Sequence, residues 1–350
     1  MISEIQIESF LQNSAEIKII DVRSPAEYEY AHIPGAINIP LFDDGERAIV
    51  GTIYKKKGHN EAILTGLEFA GKKIRSLAEQ GLKASKNNTL LLHCWRGGMR
   101  SASMAWLFEQ AGINSYILKG GYKSYRRFIR EYFSGKFNLC VLGGMTGSGK
   151  SEILAELEKL GYQVIHLEKI ANHKGSAFGS LGQLPQKSNE QFENDLFTKL
   201  YPMDTSLTIW IEHESLNIGR NIIPSEFFQT MNNSPLIVID LSRKLRVKRL
   251  VKDYGKFPKE ELWSCLTKIT RRLGGLNTQK AKLALDEGKP EKTAEIVLDY
   301  YDKSYNFSLG NKPGNQIFYC TSKTSNPRLN ALLIDTIANQ KMLVTKPDEQ

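Results

Sequence analysis

The sequence predicts an α/β protein of two consecutive parallel-sheet domains, and three observations carry that prediction. Short apolar runs of strand length recur through the 350 residues, most of them followed by stretches of helical apolar spacing. This is the alternation that parallel sheets produce. One run, Leu139–Leu142, leads into the glycine-rich stretch Gly144–Ser151 and then into the amphipathic Glu152–Leu160. Another, Leu90–Leu92, delivers Cys94 to a Gly97-Gly98 loop, with a helix expected from near Ser101 to Gly112. These two loops lie on either side of Ser134-Gly135, so the domain boundary is placed there, giving residues 1–134 and 135–350.

Composition narrows the function classes. The hydrophobic fraction of 41% and charged fraction of 24% are those of a soluble globular chain. No apolar run reaches the ~18 residues of a membrane span. The start, MISEIQIESFLQNSAE, lacks a basic n-region and an apolar core, so no signal peptide is expected. Cys94, Cys140, Cys265 and Cys320 are far apart and form no C-x-x-C pair. Neither a zinc cluster nor a disulfide framework is indicated, and a reducing cytoplasm is the expected location. A net charge of +9 favours an anionic partner.

Taken in order, Glu16–Val22 is a strand with Asp21 near its end, and Pro25 opens the following helix. His32–Pro40 is a turn into another strand, and Asp21 and Arg23 are expected to form a structural ion pair beside the active-site loop. Lys55, Lys56 and Lys57 read as a solvated face. Helical spacing from Ala62 to Leu82 predicts a helix packed on the sheet. A further strand, Ser115–Leu118, precedes a basic helix over Tyr122–Phe133. In the second domain, strands are expected at Tyr162–Glu168, Thr208–Glu212, Leu236–Asp240 and Gln316–Cys320.

Two motifs carry chemistry. Gly144, Gly147, Gly149, Lys150 and Ser151 fill the G-x-x-x-x-G-K-[ST] pattern between a strand and a helix, the context a P-loop requires. Its backbone N–H groups and helix N-terminus would cradle phosphates, Lys150 would add a full charge, and Ser151 could reach a metal. Asp240 ends an apolar run where a second metal-binding acid would stand. Glu212 and Glu214 are open to either a metal or amine role or a plain strand-end turn.

In the Cys94 loop, Arg96, Arg100 and a helix N-terminus would lower the thiol pKa and favour the nucleophilic thiolate. The bland alternatives are a ligand-free glycine turn and a buried structural cysteine. Between Asp240 and Lys282 stand 13 Lys and Arg against 4 Asp and Glu. Arg243, Arg246 and Arg249 recur on one helix face, and Arg271 and Arg272 precede Gly274-Gly275. Such a stripe suits a tRNA backbone, a solvated helix or a phosphate-clamping lid.

The block DVRSPAEYEYAHIPGAINIP and the loop CWRGGMRS resemble the rhodanese fold, although Arg100 follows Cys94 by five residues where the common sulfurtransferase loop has four. The wider spacing is similar to that of Cdc25 phosphatases and implies room for a group larger than sulfane sulfur. Fused to a P-loop domain carrying LEKIANHKGSAFG, IEHESLNIGR, RRLGG and LDYYDKSY, this arrangement resembles the bacterial tRNA 2-selenouridine synthase family over nearly the whole chain.

The resemblance implies a transferase that replaces the sulfur of wobble 2-thiouridine in tRNA with selenium from selenophosphate. It also implies S-geranyl-2-thiouridine, made from geranyl diphosphate, as intermediate. Cys94 would be the essential cysteine. No tightly bound cofactor is implied; Mg²⁺ at Ser151 and Asp240 is the candidate ion. The partners would be tRNA and a selenophosphate-producing enzyme, with no membrane. Two rivals are a P-loop kinase with a regulatory rhodanese domain and a non-catalytic RNA-binding protein.

Overall fold

The computed structural model describes residues 3–310 and 316–346. The chain forms two compact units, Met1–Phe133 with Glu193–Phe197, and Ser134–Phe192 with Thr198–Gln350.

The first unit runs β1 (Ser3–Ile5), α1 (Ile7–Asn13), β2 (Lys18–Asp21), α2 (Pro25–Tyr30), β3 (Ile37–Asn38), α3 (Asp44–Lys57), α4 (His59–Gly71), α5 (Ile74–Ala84), β4 (Thr89–His93), α6 (Met99–Gln110), β5 (Asn114–Leu118) and α7 (Gly121–Phe133). Its sheet is parallel throughout, in the order β1-β5-β4-β2-β3. The apolar run Leu90–Leu92 is fully buried, as expected of a strand covered on both faces. Each such side chain contributes roughly 1.5–3 kcal/mol by leaving water.

The helix expected over Ala62–Leu82 is two helices, α4 and α5, broken at Lys72-Lys73 just after Gly71. The three lysines Lys55–Lys57 end α3 and face solvent. Asp21 and Arg23 form the anticipated ion pair. The guanidinium donates to both carboxylate oxygens, from Nε to Oδ1 at 3.0 Å and from Nη2 to Oδ2 at 2.6 Å, and both side chains are buried.

The second unit runs β6 (Leu139–Gly144), α8 (Lys150–Lys159), β7 (Gln163–Ile165), α9 (Leu167–Ile170), α10 (Asn189–Leu200), β8 (Ile209–Glu212), β9 (Asn217–Ile218), β10 (Asn221–Ile222), α11 (Ser225–Asn233), β11 (Leu236–Leu241), α12 (Arg243–Tyr254), α13 (Lys259–Leu273), α14 (Gly275–Asp286), α15 (Pro290–Leu309), β12 (Ile317–Ser322) and α16 (Pro327–Gln340). Five strands form a parallel sheet in the order β12-β11-β6-β8-β7, while β9 and β10 pair as a small antiparallel hairpin. The buried β6 therefore stands at the centre, with β8 and β11 as neighbours. Helices α12–α15 enclose a separate small core that includes Leu262, Leu266, Leu285 and Val297. Among the described residues no helix is long and apolar enough to cross a membrane.

Candidate active site

Each unit presents one reactive loop at the C-terminal end of a central strand. In the first unit, β4 ends at His93 and Cys94 follows, only 3% exposed. The loop then turns back tightly. Gly97 adopts φ +68°, and a Cβ there would lie 2.7 Å from the Leu118 carbonyl oxygen. Gly121 adopts φ +59°, where a Cβ would overlap the Cys94 carbonyl. Only glycine supports this close approach of two backbone segments. The Tyr122 and Lys123 N–H groups donate to the Cys94 and Trp95 carbonyls at 2.9 and 3.0 Å, pinning the loop.

The cysteine environment favours thiolate. Burial pushes the Cys94 thiol up, but the Ser101 hydroxyl, the Arg100 charge and backbone N–H groups of Arg96 and Ser101 outweigh it. The net shift is below the ordinary thiol range. Cys94 Sγ lies 3.3 Å from Ser101 Oγ. Arg100 is half-buried and held by Glu27 at 2.7 Å, whereas Arg96 is exposed. The serine closing CWRGGMRS was not assigned a role from sequence, because only the helix turn that begins α6 at Met99 brings its hydroxyl back to the sulfur.

A lowered pKa means that the thiolate persists as pH falls through the usual thiol range near 8.5 and protonates only below it. The ultraviolet thiolate absorbance, taken as wild type minus Cys94→Ala, is expected to titrate at a pH below that range. Ser101→Ala should move the midpoint upward. An unshifted midpoint in wild type would contradict this account of the loop.

In the second unit, the glycines of the P-loop adopt the positive φ angles the motif requires, +83° at both Gly147 and Gly149. The loop opens on a cleft of about 1260 Å³ lined by Gly144, Gly147, Gly149, Lys150 and Ser151. Lys150 Nζ lies 3.5 Å from the Gly144 carbonyl, and the Gly144 N–H donates to Tyr305 Oη at 2.7 Å. Ser151 Oγ donates to Glu168 at 2.9 Å, and the Glu168 N–H donates to Glu212 at 3.0 Å.

Glu212 and Glu214 thus join the P-loop lysine rather than forming a plain turn. Burial, with the neighbouring Glu168, pushes both carboxyls up to about 8, against the pull of Lys150. Glu212 Oε1 and Ser148 Oγ are buried without a hydrogen-bond partner among the described residues. Both atoms stand beside the P-loop, where they are available to a polar ligand.

Two assignments from the sequence are corrected here. Asp240 does not serve the cleft. It is exposed on β11, where the pleat turns Ile237, Ile239 and Leu241 into the core and Asp240 to the other face. The acid beside the P-loop comes instead from β8, where Glu212 pairs in register with Leu142 of the P-loop strand. Among the described residues no three His, Cys, Asp or Glu side chains gather to hold a metal. The hard oxygens of Ser151 and Glu168 suit Mg²⁺ only with ligand phosphate oxygens completing the shell.

The basic stripe is the second correction. Arg246 is 4% exposed and makes a two-point ion pair with Asp302 at 2.8 Å, with a further bond to the Thr146 carbonyl. Arg243 pairs with Asp299 at 2.6 Å. Arg249 pairs with Glu152 and lies over the P-loop, where a Cβ on Gly149 would be 2.7 Å from its guanidinium. The i, i+3 spacing does place the three arginines on one face, but acids meet each of them there: Asp299 and Asp302 of α15 hold Arg243 and Arg246, and Glu152 of α8 holds Arg249. Arg271 and Arg272 remain exposed and line the cleft, with Lys174 and Lys268.

Arg246→Ala should therefore cost about 3 kcal/mol in denaturant unfolding, since it strands a part-buried Asp302. It should leave the salt dependence of tRNA binding unchanged. Arg271→Glu with Arg272→Glu should instead flatten the log K against log salt slope by roughly one unit per arginine. The opposite pattern would return the stripe on α12 to the nucleic-acid surface.

The fold and the two loops define a class, a rhodanese-like thiolate domain followed by a P-loop domain. The model of the rhodanese-like domain matches residues 7–128, and that of the tRNA 2-selenouridine synthase AAA domain matches residues 137–331. A tRNA 2-selenouridine synthase of Aeromonas salmonicida is 33% identical over 341 residues, covering 87% of this chain and 90% of the relative. One from Shewanella frigidimarina is 32% identical, over 86% of this chain and 90% of its own length. One from Bdellovibrio bacteriovorus is 36% identical, over 71% and 67%. The chain belongs to the tRNA 2-selenouridine synthase family.

Proposed function

We propose that this protein is a tRNA-modifying transferase that replaces the sulfur of wobble 2-thiouridine with selenium from selenophosphate, acting in two steps. In the first, the thiocarbonyl sulfur attacks C1 of geranyl diphosphate; a C–S bond forms, the C–O bond breaks, and diphosphate leaves. In the second, selenium displaces the geranylthio group at C2, and water splits the Se–P bond to release phosphate. Such a reaction acts on tRNA, and a cytoplasmic location suits it.

The observation that carries this reading is the presence on one chain of both reactive loops, each with its glycine geometry intact. The P-loop supplies positive charge from Lys150, Arg249 and backbone N–H groups, where the leaving diphosphate develops its negative charge. Mg²⁺, held by Ser151 and Glu168 with the diphosphate, would add Lewis-acid stabilisation. Cys94, with Arg96 and Arg100, supplies a thiolate in an anion-accepting pocket for the selenium step. Arg271 and Arg272 at the rim of the cleft are assigned to the tRNA backbone.

Mass spectrometry of nucleosides from 2-thiouridine tRNA, incubated with protein, selenophosphate and geranyl diphosphate, tests the reading. Conversion of 2-thiouridine to 2-selenouridine is expected. ATP hydrolysis stoichiometric with product would favour the kinase reading of the P-loop instead.

A further inference from the structure

The Cys94 loop carries an aromatic side chain that its sulfur chemistry does not use. Cys94 is buried, but the next residue, Trp95, is 39% exposed. A single exposed tryptophan needs no explanation on a protein surface. This one is supported from within. Its ring lies against Tyr122, with centroids 5.7 Å apart and planes at 41°. Tyr122 is fully buried, and the Arg23 guanidinium, itself fixed by Asp21, lies 4.0 Å from the tyrosine ring centroid. The Lys123 N–H bond to the Trp95 carbonyl fixes the backbone. The indole is thus held in place and still open to solvent.

Charge narrows the partner. The two segments that meet here, residues 94–100 and 118–128, hold six Lys and Arg and no Asp or Glu. Arg100 and Arg126 are engaged by Glu27 and Glu193. Lys119 and Lys123 are exposed. Lys119 precedes Gly120, whose backbone packs on Gly97 of the loop, so both lysines stand beside Trp95. Protein interfaces are depleted in lysine. An aromatic ring flanked by lysines instead suits single-stranded nucleic acid, with a base on the ring and phosphates on the charges. The burial of Cys94 makes the same demand, because a nucleobase reaches that sulfur only by leaving the stack of its neighbours.

We propose that Trp95 is a stacking platform for an unstacked base of the tRNA anticodon loop, and that Lys119 and Lys123 hold the phosphates beside that base. The assignment rests on the reading of tRNA as the substrate. It gives the rhodanese-like unit a tRNA contact of its own, distinct in kind from Arg271 and Arg272, which meet only the backbone. Trp95 takes no part in bond making; it replaces the stacking that the base gives up.

Fluorescence anisotropy of end-labelled 2-thiouridine tRNA, titrated with the full-length protein, tests this. Trp95→Ala is expected to weaken binding by about 5-fold to 150-fold, the stacking of one base, with the slope of log K against log salt unchanged. Trp95→Phe keeps a ring and should bind within about threefold of wild type, whereas Trp95→Leu keeps apolar bulk without a ring face and should bind as weakly as alanine. Lys119→Glu with Lys123→Glu should flatten the salt slope by roughly one unit per lysine. Wild-type affinity in both Trp95→Ala and Trp95→Leu would overturn the platform and leave the patch to a protein partner. Equal loss in all three Trp95 variants, with the Cys94 thiolate midpoint displaced, would make Trp95 a structural residue and overturn the proposal as well. Wild-type protein that does not bind the tRNA would overturn the reading of tRNA as substrate itself.

Discussion

Cys94→Ala is expected to abolish selenium incorporation, by on the order of 10³-fold or more, as removal of a nucleophile does. The effect should be this large because none of the other three cysteines can substitute. All four are buried, but burial raises the Cys265 and Cys320 thiols, to about 11 for Cys320, whereas the Cys94 loop lowers its own. Cys94→Ser separates chemistry from packing. The hydroxyl fills nearly the same space beside Ser101 but does not ionise at neutral pH, so it should be as inactive as alanine with unfolding stability close to wild type. Geranylation should survive both changes, since C–S bond formation depends on the diphosphate leaving group and not on a thiolate. Normal 2-selenouridine in a Cys94→Ala strain would remove this residue from the mechanism.

Lys150→Ala is expected to have the complementary effect, removing geranylation and, with it, selenation of unmodified 2-thiouridine tRNA. Lys150 is the one full charge that the P-loop motif itself supplies, and its ammonium faces Glu168, Glu212 and Glu214. Burial opposes its charge, but those carboxyls and Tyr305 hold its pKa above the usual lysine value. Its loss removes that positive charge from the phosphate cradle, so geranyl diphosphate binding should fall together with the chemical step. The raised carboxyls add a pH signature. The native state holds protons on Glu212 and Glu214 that the unfolded chain releases near pH 4.5, so these groups lower stability as pH rises from there through about 8. Glu212→Gln with Glu214→Gln should flatten that decline in denaturant unfolding followed from pH 6 to 9.

The parts of the site legible in the sequence are those whose chemistry is local. The P-loop glycines, Lys150 and Ser151 are read from spacing alone, because a phosphate cradle is one contiguous turn. Asp21 and Arg23 are two residues apart, so their pairing is nearly forced. What failed to show depends on partners far along the chain. Arg246 looked like a surface charge because Asp302, which neutralises it, stands 56 residues away on another helix. Asp240 looked like a metal acid because a strand end fixes position but not which face of the pleat a side chain takes. The convergence of Glu168, Glu212 and Glu214 on Lys150 follows from the strand order β11-β6-β8-β7, which apolar runs alone do not reveal.

The claim at the centre is that the two loops act in sequence on one tRNA. S-geranyl-2-thiouridine tRNA, prepared separately, should be supplied with selenophosphate to the Lys150→Ala and Cys94→Ala proteins, and the nucleosides weighed. The account predicts 2-selenouridine from Lys150→Ala, whose lost step has been bypassed, and none from Cys94→Ala. No 2-selenouridine from Lys150→Ala would contradict it, and would place selenophosphate or the tRNA, rather than the prenyl donor, on the P-loop.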